Sequence, residues 1–320
     1  MTATAIDYLS QEWHADRKTY IGSSEFAMLA GVSPYGDAHD LYLAKVEDNA
    51  DARERNAKAK RRGLLFEPVI AQLYQDEFPD VQLEQIPTVR HPEYPWIGST
   101  PDRIAVTRNG VRYIVEFKTV HATKIDEWGA PGTDEVPDHY FVQAVMQAET
   151  LKVPFVHIVA VFGFDDLRVY PVMRNDDMAA DLIALGASFR EKSWLPRIEP
   201  PIGGPNRERN LKRKYLLHTD HLLTADEAQN AKILEYFAAR RERERFEALE
   251  ESAKCDLIEI IGHNKGIIGR AGRISYTSQK GKKTVKVDSL CKAFNITETQ
   301  LEEHTVTGDP FRVFRPTAIR

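Results

Sequence analysis

The stretch DRIAVTRNGVRYIVEFK, residues 102–118, decides the fold of this chain. It contains two strand-like runs, 103–108 and 111–118, which are separated by Asn109-Gly110. Asn-Gly between two such runs is the strongest short-range signal for a tight hairpin, because both turn residues must accept positive φ. We therefore expect an antiparallel hairpin here.

The end of this hairpin carries three polar side chains. Alternate residues of a strand share a face, so Glu116 and Lys118 point the same way while Phe117 points into the opposite layer. Asp102, at the head of the first strand, is expected beside them across the ladder. Carboxylates are ligands that Mg²⁺ prefers, and a nearby lysine stabilises charge on a phosphorane or helps to deprotonate the attacking water. The alternative is a solvated cross-strand pair, which is common on strand faces.

Helices and strands are expected to alternate around the hairpin. Residues 63–78 have apolar residues at helical spacing, which predicts a helix with one buried face and with Glu67 inside it, next to Pro68. The predicted buried face consists of Leu65, Val69, Ile70, Leu73 and Tyr74. Further helices are expected at 23–30, 40–46, 140–150 and 176–192, and strands at 155–162 and 169–172.

Prolines and glycines crowd together at residues 196–205, which predicts a linker or a long surface loop. We therefore expect a core over residues 1–200 and a C-terminal extension over 206–320. The extension is expected to hold one helix, or a broken pair, at 224–261, with Thr224 as N-cap and Gly262 as its end. A second hairpin, 273–277 with 284–287 around Gln279-Lys280-Gly281, and short helices at 288–294 and 297–304 are expected to follow.

The composition is that of a soluble globular protein, with 28% charged and 42% hydrophobic residues. No apolar run approaches the roughly 20 residues that cross a bilayer, and the first residues lack a signal-peptide pattern. Two cysteines, Cys255 and Cys291, are too few for a disulfide framework or a zinc cluster. We expect a cytoplasmic protein with no membrane partner.

The net charge of −5 argues against a nucleic-acid partner, because phosphate binders are usually basic. The local charge differs, however. Residues 53–62 carry six positive side chains and one negative, and residues 206–214 carry five and one. Each segment is a solvated surface stretch or a contact for phosphates.

Pro101-Asp102 followed by Glu116-Phe117-Lys118 resembles the PD-(D/E)xK nuclease motif. The surrounding motifs resemble the YqaJ-like viral recombinase family, which includes the lambda-type phage (alkaline) exonucleases. The resemblance covers about residues 15–165. In order, its motifs are Arg17, Ile21-Gly22-Ser23-Ser24-Glu25, Gly31-Val32-Ser33-Pro34-Tyr35, Arg62-Gly63, Glu67-Pro68, Thr100-Pro101-Asp102 and Tyr140-Phe141-Val142-Gln143.

The resemblance implies an α/β (α+β) fold with a restriction-endonuclease-like core, in which helices flank a central mixed sheet. It implies that Asp102, Glu116 and the backbone carbonyl of Phe117 bind Mg²⁺, with Mn²⁺ as a substitute. It further implies that Glu67 is another metal ligand, that Lys118 is the catalytic lysine, and that Gln143 holds the site around the scissile phosphate. Without the resemblance, Glu67 would be an exposed helix carboxylate.

The resemblance also implies a DNA substrate. Arg17 and Ser24 would receive a terminal 5′-phosphate, although Ser24 alone is equally a helix cap. The remaining candidate DNA contacts are Tyr140 and the basic residues Arg53, Arg55, Lys58, Lys60, Arg61 and Arg62.

The expected activity is 5′-to-3′ exonucleolytic hydrolysis of linear double-stranded DNA, which leaves 3′ overhangs for phage-type annealing recombination. A homotrimer and a single-strand annealing protein are the expected partners. An endonuclease of the same fold, or a DNA-end binding module without turnover, are the alternatives.

Overall fold

The structure, a computed structural model, describes residues 11–47, 57–163, 166–279 and 287–306. The chain divides into two compact units, Met1–Lys214 and Tyr215–Arg320. The predicted linker at 196–205 therefore lies inside the first unit. The polar contacts of Asn206, Arg209 and Asn210 with Asp40 tie the segment after this linker to the first unit.

A five-stranded mixed sheet forms the centre of the first unit, in the order β2-β5-β6-β7-β8. All neighbours are antiparallel except β6 and β7, which are parallel. A small second sheet has the order β1-β4-β3. The strands of the first unit are β1 (Ile21–Gly22), β2 (Val81–Glu84), β3 (Val89–Arg90), β4 (Ile97–Ser99), β5 (Arg103–Thr107), β6 (Arg112–Val120), β7 (Phe155–Phe162) and β8 (Asp166–Met173).

Helices cover both faces of the central sheet, because alternate residues of its strands feed two separate hydrophobic clusters. Ile114 and Ile158 face α5, while Val115 and Phe117 face α4. The predicted α/β fold with a central mixed sheet between helices is confirmed. The helices of the first unit are α1 (Gln11–Arg17), α2 (Phe26–Leu29), α3 (Ala38–Val46), α4 (Ala57–Glu77), α5 (Asp138–Leu151), α6 (Asp176–Phe189) and α7 (Arg207–Lys214).

The hairpin between β5 and β6 is confirmed, but its turn differs from the expected one. Gly110 has a φ of 82°, and Asn109 is not among the described residues with positive φ. The Gly110 amide donates to the Thr107 carbonyl at 2.9 Å, and the Thr107 amide donates to the Val111 carbonyl at 3.0 Å. The loop is therefore three residues long and needs positive φ at its last position alone.

The predicted buried face of α4 is only partly correct. Ile70 and Tyr74 are buried, but Leu65, Val69 and Leu73 are 67%, 53% and 37% exposed. The helix contacts the sheet along the line that joins Ile70 and Tyr74, and Glu67 is buried on the same line. Val69 and Leu73 each precede a residue of that line by one position and so lie roughly 100° around the helix, while Leu65 precedes Glu67 by two positions and lies roughly 200° around it.

The C-terminal unit contains the long helix α8 (Glu227–Ile261), which is unbroken. Its N-cap is Asp226, whose carboxylate accepts from the Gln229 amide at 2.7 Å, so the prediction of Thr224 as N-cap is wrong. Gly262 ends the helix as expected, with a φ of 53°. Most of the helix surface is exposed.

The second predicted hairpin, 273–277 with 284–287, lies partly outside the described residues, and its first strand has a partner that was not predicted. Strand β10 (Gly272–Ser275) pairs with the preceding strand β9 (Gly266–Gly269). Strand β9 was hard to predict from the sequence because it begins and ends with glycine. Residues 280–286 lie outside the described part of the chain, and Val287 begins a helix rather than ending a strand. The short helices α9 (Val287–Phe294) and α10 (Glu298–Glu303) agree with the prediction. Within the described ranges, no helix has the length and apolar character that crossing a bilayer requires.

A buried polar network fixes α4 on the sheet. The Tyr74 hydroxyl lies 2.9 Å from the Tyr113 hydroxyl and 2.8 Å from Nδ1 of His157. Tyr74 is two turns after Glu67, so this network also sets the position of Glu67 along the sheet. Burial lowers the pKa of His157 from 6.5 to about 4.

We predict that this histidine makes the first unit less stable in mild acid. The folded pKa lies below the ordinary value of 6.5, so the stabilisation from neutral His157 is complete above pH 6.5 and is lost as the pH falls towards 4. His157→Asn keeps an acceptor for Tyr74 and does not titrate. Urea unfolding of the two proteins between pH 7 and pH 4 should therefore give a smaller loss of stability for the variant, and equal losses would contradict the prediction.

Candidate active site

The candidate site lies where β6 extends past the start of β5. Asp102 immediately precedes β5, and its Oδ2 accepts a hydrogen bond from the Phe117 amide at 2.7 Å. The N–H and C=O of one residue point to the same edge of a strand, so the Phe117 carbonyl also faces Asp102. One backbone oxygen and one carboxylate therefore share this edge.

Glu116 is held rigidly on the face that α5 covers. It is buried, with 6% exposure. Its Oε1 accepts from Lys118 Nζ at 2.8 Å and from Gln143 Nε2 at 2.6 Å, and its Oε2 accepts from Gln147 Nε2 at 2.7 Å. Three donors thus satisfy a carboxylate that would otherwise be costly to bury.

Lys118 lies between the carboxylates and α5. Its Nζ also donates to Gln143 Oε1 at 3.1 Å and lies 4.8 Å from the centroid of the Tyr140 ring. Burial alone would lower the pKa of Lys118, but the negative charges of Glu116 and Asp102 outweigh it and raise that pKa above its ordinary value. The structure thus brings Asp102, Glu116, Lys118 and Gln143 together, with Tyr140 beside them.

The oxygens at this edge suit a hard divalent cation. Burial, together with the charge of Glu116, raises the pKa of Asp102 well above its ordinary value. The buried carboxylate of Glu116, the half-buried carboxylate of Asp102 and the backbone carbonyl of Phe117 are an all-oxygen donor set of the kind that Mg²⁺ and Mn²⁺ accept. Within the described ranges, no three His, Cys, Asp or Glu side chains are already grouped as a metal site. Asp102, Glu116 and the Phe117 carbonyl are therefore the residues that fit a metal ion.

Glu67 reaches this edge from the opposite face of the sheet. It is buried in α4, and its carboxylate forms an ion pair with the guanidinium of Arg103, the first residue of β5. Its charge contributes to the raised pKa of Asp102, after burial and Glu116. Glu67 is therefore close to the site, but Arg103 occupies its carboxylate.

Arg17 and Ser24 lie beside the small second sheet. Arg17 Nη2 pairs with Glu25 Oε1 at 2.7 Å, and Lys45 Nζ pairs with Glu25 Oε2 at 2.7 Å. Burial alone would raise the pKa of Glu25, but Arg17 and Lys45 outweigh it and lower that pKa to about 2. This cluster of two cations and one anion keeps a net positive charge beside Ser24, which is exposed in the short 3₁₀ turn Ser23–Glu25.

The basic segment is described only in part. Arg53 and Arg55 lie outside the described residues. The positions of Lys58 and Lys60 fall in the first turns of α4, and Arg61 and Arg62 follow them with exposed side chains. These positions lie on α4, the helix that carries Glu67. This helix begins at Ala57, earlier than the predicted start at residue 63.

Three residues of this region were not identified from the sequence: Gln147, Arg103 and Lys45. Gln147 follows Gln143 by four positions, so helical spacing places both amides on one face and could have identified it. Arg103 is adjacent to Asp102, but its pairing with Glu67 depends on how α4 packs. Lys45 is on α3, and no local pattern relates it to Arg17 or Glu25.

Two carboxylates, a lysine and two amide side chains at the edge of a mixed sheet define a carboxylate–lysine site. Residues 12–150 match the YqaJ-like viral recombinase domain, the family that the sequence motifs resemble. All of these side chains lie within the matched residues.

Similar proteins include the YqaJ protein of Bacillus subtilis (strain 168), which is 27% identical over 239 residues, 72% of this chain and 68% of that protein. Among solved structures, an alkaline exonuclease from Laribacter hongkongensis is 19% identical, with a TM-score of 0.46 over 64% of this chain and 97% of its own. A SOX–DNA complex is 14% identical, with a TM-score of 0.39 over 62% and 71% of the two chains.

We predict that Gln147 is required to bury Glu116. Gln147→Met preserves the volume but leaves Glu116 Oε2 without its buried donor, which should lower the free energy of unfolding by about 1–3 kcal/mol. Gln82→Met, at an exposed position of β2, is the matched control and should change little. Urea unfolding measures both, and an unchanged stability of Gln147→Met would contradict this role.

Proposed function

We propose that the protein is a metal-dependent nuclease that degrades one strand of linear double-stranded DNA from its 5′ end. The convergence of Asp102, Glu116 and Lys118 at one sheet edge is the observation that carries this proposal. The match of residues 12–150 to the YqaJ-like viral recombinase domain supports it. The 3′ single strand that such digestion leaves is a substrate for annealing recombination.

A divalent ion bound by Asp102, Glu116 and the Phe117 carbonyl would supply a Lewis acid for phosphodiester hydrolysis. Lys118 places its ammonium within 2.8 Å of Glu116, where it stabilises negative charge that develops on the phosphoryl oxygens. Gln143 bonds both Lys118 and Glu116, so it holds these two groups in a fixed relation. Glu67 would be an additional ligand once its carboxylate leaves Arg103.

The proposed polarity depends on Arg17 and Ser24. The Arg17 guanidinium packs closely against Gly22, where an added Cβ would lie 2.6 Å from Nη1. Ser24 lies in the 3₁₀ turn that follows Gly22. A guanidinium with a nearby hydroxyl is suited to a terminal phosphate. The net positive charge of the cluster formed by Arg17, Lys45 and Glu25 favours a phosphate over a 5′-hydroxyl.

Arg61 and Arg62, with Lys58 and Lys60 before them, would contact the DNA backbone, as would Arg53 and Arg55. The exposed side chains of Arg61 and Arg62 at the start of α4 support this. The overall charge of −5 does not oppose it, because the positive charge is local. The homotrimer, the annealing protein and a role for residues 206–320 stay predictions. An endonuclease and a binding module without turnover are the alternatives that the following experiment separates.

We predict that the protein digests linear duplex DNA in Mg²⁺ and that Lys118→Ala reduces the rate by about 10²-fold or more. Lys192→Ala, at an exposed position of the first unit, is the matched control and should leave the rate unchanged. The rate is measured as acid-soluble nucleotide released, with EDTA as a metal-free control. Cutting of closed circular DNA would indicate an endonuclease, and DNA binding without any cutting would leave only the binding module.

We further predict that a terminal 5′-phosphate accelerates digestion and that Arg17→Ala abolishes this preference. Removing Arg17 leaves Lys45 and Glu25 as a neutral pair, so the attraction for a phosphate is lost. The measurement compares initial rates on 5′-phosphorylated and 5′-hydroxyl duplexes of one sequence. Equal rates on both duplexes for the wild type would exclude the proposed phosphate site.

A further inference from the structure

Glu67 is held in a different way from the other two candidate carboxylates. Side chains of β6 and α5 fix Glu116, and a backbone amide fixes Asp102. Glu67 instead pairs with the guanidinium of Arg103. The side chains of Glu67 and Arg103 are only 11% and 15% exposed, so little water screens either charge if the other leaves.

Arg103, the first residue of β5, lies between Glu67 and the sheet edge where β6 extends past β5. It pairs with Val115 across the hairpin, on the face that α4 covers. Its guanidinium also donates to the Asp102 carbonyl and lies 6.0 Å from the centroid of the Phe117 ring. A cation of the chain itself is therefore bound to Glu67, next to the two residues whose oxygens fit a metal ion.

The charges of this region are consistent with competition between two cations. This region holds three carboxyl groups, those of Glu67, Asp102 and Glu116, and two cations, Arg103 and Lys118. A divalent ion that approaches this edge is attracted by the carboxylates and repelled by the guanidinium. For Glu67 to become a ligand, at least one of its oxygens must exchange Arg103 for the ion.

We propose that Arg103 is an internal competitor of the divalent ion for Glu67. In the metal-free protein, Arg103 neutralises Glu67 and so reduces the electrostatic repulsion among the three carboxylates of this region. Arg103 releases Glu67 when the ion binds. The site therefore binds the ion more weakly than the same carboxylates would without Arg103. This inference rests on the metal site of the proposed function.

The test is titration calorimetry of MnCl₂ into the metal-free full-length protein, without DNA. Removing the competing charge in Arg103→Met should tighten Mn²⁺ binding by about tenfold. Arg103→Gln should tighten it in the same direction, and its amide can still donate to Glu67 if the methionine variant fails to fold. Arg112→Met, at a position 58% exposed in the same hairpin, is the matched control and should bind as the wild type does.

A second pair of variants separates competition for Glu67 from a general effect of charge. In a Glu67→Gln background there is no carboxylate to compete for, so adding Arg103→Met should change the Mn²⁺ affinity by less than about twofold. An equal gain in both backgrounds would overturn the inference, as would unchanged affinity in Arg103→Met. Wild-type protein that binds no Mn²⁺ would overturn the metal site itself, and the inference with it.

Discussion

The hydrogen bond from the Phe117 amide to Asp102 is the contact on which the candidate site depends. It joins the last residue before β5 to the part of β6 that no longer has β5 as a neighbour. Without it, the carboxylate at the head of the hairpin would have no fixed relation to Glu116 and Lys118. Because the same bond orients the Phe117 carbonyl, one contact places two kinds of oxygen at the sheet edge.

Helices α5 and α4 contribute side chains to this edge from opposite faces of the sheet. Helix α5 contributes Gln143 and Gln147 to Glu116, while α4 brings Glu67 to the other face. The alternation of β6 explains this division, since Glu116 and Phe117 belong to different layers. The position of α4 depends in turn on the hydroxyl of Tyr74, which bonds to two neighbouring strands of the sheet. The site is therefore a product of both helix–sheet interfaces.

Local patterns predicted the elements that local physics determines. The Asn109-Gly110 hairpin, strand β7 and the shared face of Glu116 and Lys118 all follow from short-range rules and are present in the structure. The buried side of α4 and the pairing of β10 depend on which surface another element covers, and these predictions were wrong in part. Arg103 was missed for the same reason, because its pairing with Glu67 exists only after α4 has packed.

The parallel pairing of β6 with β7 has a consequence for the order in which the molecule assembles. The β5–β6 hairpin closes over a short loop, so it involves little loss of chain entropy. Glu116, by contrast, is paired with Ile158, on the far side of the crossover that contains α5. Contacts of high sequence separation form slowly. We therefore expect the hairpin to exist first with its carboxylates in water, and Glu116 to be desolvated only when the crossover has folded and its two glutamines have arrived.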